Sequence, residues 1–331
     1  MKTETQQQKA TEYNKVFDEK DYGKRQTKAQ LVTDNFYTLI TKFYERGWGE
    51  SFHFAPRYNG EDFKASIDRH EYLLASKLGL SQKDEVLDVG CGIMGPARNL
   101  ARISGAHITG LTINQYQVDR ANELNKSSSV SHLLEAIQGD FMDIPFPDDH
   151  FDKMYAIEAL CHAPDLVGVY KQIHNKLKPG GKACFYQWGM TDKFDPENPE
   201  HVRIKEQIEY GNSIVKLKTL TEIDRAIEAS GLIKEETTDL VKVNWGNDMP
   251  WYSTLQSGWS LKQIRQTKGS RMVMRQVFKT LEALHIVKKG VVKTQKILLV
   301  AADALVEGGK LEIFTPMYLV VVSKKKAIKT R

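Results

Sequence analysis

Residues 86–98 constrain the fold of this chain more than any other stretch. They read as a buried strand, a glycine turn and the start of a helix, an order that is typical of nucleotide-cofactor sites in α/β proteins. Gly90 and Gly92 permit a positive φ and leave room for a ligand against the backbone. The alternative is a plain strand–turn–helix of an α/β domain without a ligand.

The residue before the turn indicates which cofactor it takes. Gly90, Gly92 and Gly95 fit the G-x-G-x-x-G spacing of dinucleotide sites. However, Asp88 stands at the predicted strand end, where its charge would repel a pyrophosphate. The same charge suits a cationic ligand such as the amino-acid part of S-adenosylmethionine, so we predict this cofactor.

Four downstream segments support that interpretation. A strand at 107–112 ends in polar residues that would meet a ribose, and Asp140 and Phe141 are placed to bind and cover an adenine. A turn at 146–150 precedes another strand, and a Pro-Gly-Gly turn at 179–181 separates a helix from a strand. This ordered set resembles the class I S-adenosylmethionine-dependent methyltransferases, which implies a Rossmann-like α/β fold. The predicted cofactor-binding residues are Asp88, Gly90, Gly92, Thr112, Asn114, Gln117, Asp140, Phe141 and Ile157.

Composition excludes several other classes of protein. The net charge of +5 from 47 basic and 42 acidic residues predicts an ordinary mixed surface and no nucleic-acid partner. Cys91, Cys161 and Cys184 lack zinc-ligand spacing, so we predict no metal site and a reducing compartment. No run of about 18 apolar residues occurs, and the first residues are polar, so neither a transmembrane helix nor a signal peptide is predicted.

The chain divides into three predicted parts. Residues 1–68 form an N-terminal substrate or lid segment, residues 69–200 form the cofactor-binding core, and residues 201–331 hold the remainder of the core and a C-terminal extension. In this last part we predict a capped helix from residue 219, a helix that Gly308 and Gly309 end, and a buried strand at 317–322. The basic residues at 323–331 are either a solvated tail or a contact with an anionic membrane surface.

Residues 43–54 hold six aromatic or imidazole rings in twelve residues. The glycines among them and the lack of alternation argue against a regular helix or strand. One interpretation is a hydrophobic staple that holds the N-terminal segment on the core. The other is an aromatic box over an active site, in which each desolvated ring face stabilises a cation by about 0.5–2 kcal/mol.

Three motifs and the C-terminal part give a more specific resemblance. Residues 44–54, 158–164 and 186–192, together with 304–310 and 313–318, resemble segments of the sterol 24-C-methyltransferases. This similarity runs from about residue 13 to 322. It implies an aromatic substrate segment at the N-terminus and a sterol-methyltransferase extension at the C-terminus of the Rossmann-like core.

The resemblance implies an activity and a set of site residues. The activity is methyl transfer from S-adenosylmethionine to carbon 24, at the side-chain double bond of a sterol, through a carbocation, in sterol biosynthesis. If residues 158–162 are helical, Glu158 and His162 share one face and are the candidate proton acceptors or sterol-hydroxyl ligands. His162 as a core histidine and Glu45 as a salt-bridging residue are the alternatives. The implied catalytic residues are Glu158, His162, Tyr44 and Trp48, and the implied substrate-binding residues are Glu45, Phe52, His53, Phe54, Tyr186, Gln187 and Trp188.

Several positions depart from the family pattern. Met94 replaces a third glycine, Arg46 replaces an aromatic residue, and Gln187 replaces a glutamate. Unlike a glutamate, the Gln187 amide cannot take up a proton at neutral pH. Two alternatives therefore stay open: a methyltransferase for another isoprenoid or lipid acceptor, and a non-catalytic lipid-binding scaffold in which Met94 blocks the cofactor. The partners implied are a sterol or related isoprenoid lipid and a membrane, contacted peripherally at the cytoplasmic face of the endoplasmic reticulum or on a lipid droplet. A homo-oligomer is also left open.

Overall fold

A mixed seven-stranded sheet organises the part of the chain that a computed structural model describes, namely residues 13, 15–17, 22–244, 246, 248–255 and 291–326. The strands are β1 (Arg57–Tyr58), β2 (Glu85–Val89), β3 (His107–Thr112), β4 (Leu134–Gln138), β5 (Phe151–Ile157), β6 (Leu177–Met190), β7 (Ile233–Asp239), β8 (Asp248–Met249) and β9 (Phe314–Ser323). The sheet order is β4-β3-β2-β5-β6-β9-β7. Strands β2 to β6 are parallel, β9 runs antiparallel to β6 and β7, and β1 pairs with β8 separately.

Helices cover both faces of this sheet. They are α1 (Tyr22–Gln26), α2 (Ala29–Trp48), α3 (Phe63–Leu78), α4 (Gly95–Ser104), α5 (Gln115–Lys126), α6 (Leu166–Lys176), α7 (Pro199–Asn212), α8 (Leu220–Ser230) and α9 (Val291–Lys310). One hydrophobic cluster packs α3, α4, α5, α7 and α9 on one face, and a second packs α6 and α8 on the other. No helix in the described ranges is both long enough and apolar enough to cross a membrane.

The strand order reverses between β2 and β5, which lie side by side although β3 and β4 separate them in the chain. In parallel α/β sheets, such a switch point opens a crevice at the carboxyl ends of the strands. Asp88 pairs with Gly110 on one side and with Tyr155 on the other, so the turn after β2 leads directly into this crevice. The Rossmann-like α/β prediction is confirmed.

Local capping explains where the predicted helices begin and end. Helix α4 starts after Met94, which has a φ of 60°, and it ends at Gly105 in the left-handed region. Helix α8 begins with a capping box between Thr219 and Glu222 and ends at Gly231, as predicted. The capping box and the N–H groups of Gly105 and Gly231 satisfy backbone groups that the helix ends leave unpaired.

The aromatic segment at 43–54 is more regular than its sequence predicts. Its first half belongs to α2, which continues to Trp48 and ends where Gly49 takes a φ of 90°. The prediction of no helix was wrong for this half, because Gly47 is accommodated within the helix. Tyr44 and Trp48, four residues apart, therefore lie on one helical face.

Two glycine signals also behave differently from the prediction. Helix α9 runs through Gly308 and Gly309 to Lys310, so these glycines do not end it. They allow close packing, because a Cβ on Gly309 would overlap the Tyr252 ring and one on Gly308 would lie 3.2 Å from Phe314. The Pro-Gly-Gly turn forms an irregularity within β6. The final buried strand is confirmed, and it extends over Phe314–Ser323.

Candidate active site

Two adjoining cavities open at the carboxyl ends of β2 and β5. The first, the loop cavity, encloses about 120 Å³ beside the turn after β2. The second, the aromatic cavity, encloses about 320 Å³ between α2, α9 and the loop after α2. Five described residues line both cavities and form what we call the common wall: Tyr37, Phe52, His53, Glu158 and His162.

The glycine turn forms a cradle without side chains. Gly90 has a φ of 85° and Gly92 a φ of 53°, conformations that side chains disfavour. The backbone N–H of Gly90 donates to the carbonyl of Leu111 at 2.8 Å, which fixes the turn on β3. A Cβ on Gly90 would overlap Ala159. The exposed backbone on the cavity side therefore fits an extended ligand, as the sequence predicts.

The Met94 side chain does not enter the loop cavity. It is fully buried, and its Sδ lies 3.3 Å from Nδ2 of Asn125. Gly110 on β3 makes room for it, since a Cβ there would lie 2.9 Å from Cγ of Met94. The side chain is thus turned beneath β3, and the proposal that it blocks a cofactor loses its physical basis.

Carboxylates give the loop cavity an affinity for cationic and hydrogen-bonding ligands. Asp88 accepts a hydrogen bond from the Tyr155 hydroxyl at 2.9 Å, but burial dominates and raises the pKa of Asp88 to about 7. A cation beside Asp88 would favour its ionised form. Asp140 accepts a hydrogen bond from the Met142 N–H at 2.8 Å, which orients it at the cavity edge.

Most of the predicted cofactor residues line the loop cavity, and one does not. Asn114 caps α5 by accepting a hydrogen bond from the Gln117 N–H, and its Nδ2 donates to Asp34 Oδ1 at 2.7 Å and to Thr38 Oγ1 at 2.8 Å. Its side chain therefore ties α5 to α2 and does not reach the ligand space. The lining residues from the prediction are Asp88, Gly90, Gly92, Thr112, Gln117, Asp140, Phe141 and Ile157.

One face of α2 contributes three lining residues that the sequence analysis does not predict, Gln30, Thr33 and Tyr37, together with the predicted Tyr44. Gln30, Thr33 and Tyr37 line the loop cavity, and Tyr37 and Tyr44 line the aromatic cavity. A single helix thus forms walls of both cavities. These residues are spaced three, four and seven positions apart, so they share one face of a helix. Recognising this segment as a helix would therefore have placed them together.

Ring faces and edges line much of the aromatic cavity. The Tyr44 and Phe52 ring centroids lie 5.6 Å apart, those of Trp48 and Phe54 5.7 Å apart, and those of Phe54 and Trp188 6.1 Å apart. These distances fall within the range of favourable aromatic pairs. The predicted aromatic residues are therefore brought together around one space.

Helix α9 and its neighbours close the opposite side of the aromatic cavity. The lining there is apolar except for one amide, and the small side chains of Ala301 and Ala302 leave room inside. This wall is suited to a hydrocarbon ligand. Its described members are Asn212, Leu255, Leu298, Ala301, Ala302 and Leu305.

Glu158 occupies the common wall in an unusual backbone conformation. Its φ is 54°, and a short 3₁₀ helix, Leu160–His162, follows it, so the predicted helical face through Glu158 and His162 was wrong. The backbone N–H of Phe54 donates to Oε1 of Glu158 at 2.7 Å. Burial raises the pKa of Glu158 to about 8, although the nearby charge of His53 opposes this shift.

The surroundings of His53 favour its protonated form. Its Nδ1 lies 2.8 Å from the carbonyl oxygen of Phe54, and its Nε2 lies 3.1 Å from Oε1 of Glu71. Burial alone would lower the pKa of His53, but the hydrogen bond and charge of Glu71 outweigh it, and the pKa is raised. Both ring nitrogens therefore act as donors.

His162 is held in the opposite charge state. Burial lowers its pKa to about 4, so the ring is neutral at physiological pH. Its Nδ1 lies 3.1 Å from the carbonyl oxygen of Ser213 and therefore carries the hydrogen. The Nε2 atom is left as the acceptor, and it receives a hydrogen bond from the Tyr37 hydroxyl at 3.0 Å.

Three predicted substrate residues are not brought to either cavity. Glu45 forms an ion pair with Arg120, which agrees with the salt-bridge alternative. Tyr186 donates its hydroxyl hydrogen to the carbonyl of His70 at 2.9 Å. Gln187 points to the other face of the sheet, where its Nε2 donates to the Tyr170 hydroxyl at 2.8 Å. The Arg46 side chain lies outside the described part of the structure.

Comparison with protein families gives two matches. Residues 87–185 match the family model described as a methyltransferase domain, which covers the glycine turn and the strands that carry it. Residues 261–325 match the model described as sterol methyltransferase C-terminal. The second match includes all of α9, the helix that closes the aromatic cavity, and all of β9.

Individual relatives extend this likeness over most of the chain. Cycloartenol-C-24-methyltransferase 1 of Oryza sativa subsp. japonica is 44% identical over 306 residues, which are 91% of this chain and 88% of that protein. The sterol 24-C-methyltransferase of Saccharomyces cerevisiae is 41% identical over 310 residues, covering 90% of this chain and 80% of that protein.

A solved structure agrees with the fold. The crystal structure of geranyl diphosphate C-methyltransferase from Streptomyces coelicolor A3(2), with S-adenosyl-L-homocysteine, matches with a TM-score of 0.64 over 89% of this chain and 97% of that one. At 14% identity, this likeness concerns the fold alone. The extent and identity of the sequence matches decide the family: this chain belongs to the sterol 24-C-methyltransferases, which are S-adenosylmethionine-dependent enzymes.

Proposed function

We propose that this protein transfers a methyl group from S-adenosylmethionine to carbon 24 of a sterol whose side chain carries a double bond. The observation that carries the proposal is the common wall. It stands between a cavity with a glycine cradle and carboxylates and a cavity lined by aromatic rings and apolar side chains. A methyl donor and an alkene acceptor would meet at this wall.

The loop cavity supplies the contacts that S-adenosylmethionine needs. The backbone around Gly90 and Gly92 would accept its extended amino-acid part, and Asp88 would balance the positive charge. Asp140 would hydrogen-bond the adenine amino group, and Phe141 would cover the ring. When bound, S-adenosylmethionine supplies a methyl group activated by a sulfonium centre.

The aromatic cavity is suited to a transient carbocation on the sterol side chain. An alkene needs no base to act as a nucleophile, so the protein's task is to orient it and to stabilise the charge that follows. The ring faces of Tyr44, Trp48 and Trp188 do this without forming a bond to the cation. The Glu158 carboxylate adds charge stabilisation from the common wall.

Burial also keeps water away from the cation. Glu158 is only 8% exposed and Trp188 is 8% exposed, so bulk solvent has little access to the wall between them. The imidazolium of His53 is paired with Glu71, which offsets its charge near the cationic substrate. This pairing also fixes the loop that carries Phe52 and Phe54.

Release of S-adenosylhomocysteine with matched sterols tests the proposed function. The purified protein is incubated with S-adenosylmethionine and either a sterol with a double bond at carbon 24 or its analogue with a saturated side chain. We expect stoichiometric release only with the unsaturated sterol. Release with a phenolic or non-sterol lipid acceptor instead would favour the alternative acceptor, and absence of S-adenosylmethionine binding would favour the scaffold.

The sterol substrate also suggests where the protein works. Because sterols reside in lipid phases, we propose peripheral contact with the cytoplasmic face of the endoplasmic reticulum or with lipid droplets. Fractionation of a lysate tests this directly, with the protein expected in the membrane or droplet fraction and released by high salt. Recovery in the soluble fraction at low salt would contradict it. A homo-oligomer stays a prediction, which light scattering would test.

A further inference from the structure

The carbocation of the proposed reaction must lose a proton to give an uncharged 24-methylene product, and the protein must supply an acceptor for that proton. This inference rests on the proposed function. The proton leaves the carbon that has just been transferred, which lies where donor and acceptor meet. Its acceptor must therefore belong to the common wall, because only those described residues face both cavities.

Hydrogen bonding separates the candidates on the common wall. Phe52 has no basic atom. Both ring nitrogens of His53 face acceptors, the Phe54 carbonyl and Glu71, so His53 has no free lone pair for a proton. Glu158 is assigned in the proposed function to stabilising the cation as a carboxylate, a role that protonation would end, and one of its two oxygens, Oε1, accepts the Phe54 N–H. Tyr37 and His162 remain, joined to each other.

We propose that Tyr37 is a further catalytic residue that accepts this proton and relays its own hydroxyl proton to His162. The Tyr37 oxygen lies 3.0 Å from Nε2 of His162, and Nδ1 of His162 lies 3.1 Å from the Ser213 carbonyl. These hydrogen bonds form a continuous chain from the common wall to Ser213, the residue that follows α7. The sequence motifs contain His162 but not Tyr37.

The relay conserves atoms and electrons. Bond formation at carbon 24 leaves the cation at carbon 25, and a hydride then moves with its electron pair from carbon 24 to carbon 25, which places the cation at carbon 24. The C–H bond of the transferred carbon breaks next, and its electron pair forms the double bond to carbon 24. The proton goes to the Tyr37 oxygen while the phenolic proton moves to Nε2 of His162. The resulting imidazolium keeps its Nδ1–H bond to the Ser213 carbonyl, and it returns the proton to solvent when the product leaves.

The weak basicity of this pair suits the step. A C–H bond beside a carbocation is strongly acidic, so a strong base is unnecessary. Burial raises the pKa of Tyr37 well above its usual value and lowers that of His162 to about 4. The pair is therefore neutral before the cation forms, and it presents no anion that the methyl donor could alkylate.

Product analysis of Tyr37→Phe tests the relay. The variant keeps the ring and removes the hydroxyl that would take the proton. We expect the ratio of 24-methylene sterol to other products of the same cation, isomeric alkenes or a water-derived alcohol, to fall about 100-fold, the usual size of a general-base effect. The Kd for S-adenosylhomocysteine should stay within about twofold of the wild type, because a phenyl ring still fills the wall.

Tyr318→Phe is the matched control, since it removes a hydroxyl that bonds Asp224 at 2.9 Å and lines neither cavity. Its product ratio should equal that of the wild type. If Tyr37→Phe does not fold, His162→Gln carries the same test, because it removes the receiving imidazole and leaves Tyr37 in place. An unchanged product ratio in a folded variant would overturn the relay. Absence of sterol methylation by the wild type would instead overturn the proposed function.

Discussion

Glu158 illustrates how single residues define this site. A buried carboxylate with a pKa of about 8 and a left-handed backbone is unfavourable for stability, and such groups concentrate at functional sites. Its environment has two sides, because the Phe54 N–H and the charge of His53 favour ionisation while burial opposes it. A cation on the substrate would also favour ionisation and would lower the pKa of Glu158.

The pH dependence of kcat/KM should report this carboxylate. Because burial raises the pKa of Glu158 to about 8, the ionised form is the minority below that pH and increases as pH rises. We expect kcat/KM to rise through a transition near pH 8, with a second, lower transition from Asp88, whose pKa is about 7. In Glu158→Gln the upper transition should disappear and the rate should fall by about 100-fold or more.

Glu45→Gln provides the control for this experiment. Glu45 is paired with Arg120 and lines neither described cavity, so its removal should leave the pH profile in place. A transition near pH 8 that persists in Glu158→Gln would assign the titration to another group. An unchanged rate in that variant would show that the carboxylate is not needed for the cation.

At the scale of elements, the turn between β2 and α4 tolerates few substitutions. Its two cradle glycines have positive φ angles, and it packs between Ala159 and Phe52. Gly60 has a similar φ of 83°, but a Cβ there would meet nothing within 4 Å. Substituting glycines with and without such neighbours therefore distinguishes the energetic cost of backbone strain from that of a steric clash.

Gly90→Ala and Gly60→Ala form a matched pair. Their φ angles are 85° and 83°, but a Cβ on Gly60 meets nothing within 4 Å, whereas one on Gly90 overlaps Ala159. We expect Gly60→Ala to lower the free energy of unfolding by about 1 kcal/mol and to leave cofactor binding intact. Gly90→Ala should lower it by a further 1–3 kcal/mol or so and weaken S-adenosylmethionine binding, as measured by denaturation and calorimetry. Equal effects of the two substitutions would contradict this packing.

Helix α9 provides a second test at this scale. Ala302→Phe adds a ring to the aromatic cavity without touching the loop cavity. We expect sterol methylation to fall by at least about tenfold, since overfilling such a space costs about 1–3 kcal/mol, while the Kd for S-adenosylmethionine is unchanged. Asp303→Gln, on the exposed side of the same helix, is the control. Retained activity in Ala302→Phe would place the sterol elsewhere.

The sequence predicts local elements better than their mutual arrangement. The strand–turn–helix around Gly90 and the capping box at Thr219 depend on neighbouring residues, so they were predictable. Tyr37 could not be assigned, because its role depends on which face of α2 meets the sheet. Gln187 was misplaced for a related reason: alternate residues of β6 point to opposite faces, and the motif alone does not say which face holds the site.

At the scale of the whole molecule, α2 connects the two ligands. Its residues line both cavities, and Asn114 at the start of α5 holds it through Asp34 and Thr38. Gln117 adds a hydrogen bond to Thr41. A ligand that orders this helix in one cavity therefore also orders a wall of the other.

This arrangement predicts coupled binding. S-adenosylhomocysteine and a sterol with a saturated side chain should each increase the other's affinity by the same factor, about 5-fold or more, because linkage is reciprocal. Asn114→Ser should reduce this factor, since serine still caps α5 but lacks the amide that reaches Asp34. Titration calorimetry in both orders measures it. Independent binding in the wild type would contradict the coupling.

The central claim is that a methyl group crosses the common wall from the loop cavity to a sterol side chain. Mass spectrometry after a single turnover with S-adenosylmethionine bearing a trideuterated methyl group tests it most directly. We expect a sterol with one new carbon at position 24 that retains two of the three deuterium atoms, because the third leaves as a deuteron in the final step. Deuterium absent from the sterol despite saturating cofactor, or attached to its ring hydroxyl, would contradict the account.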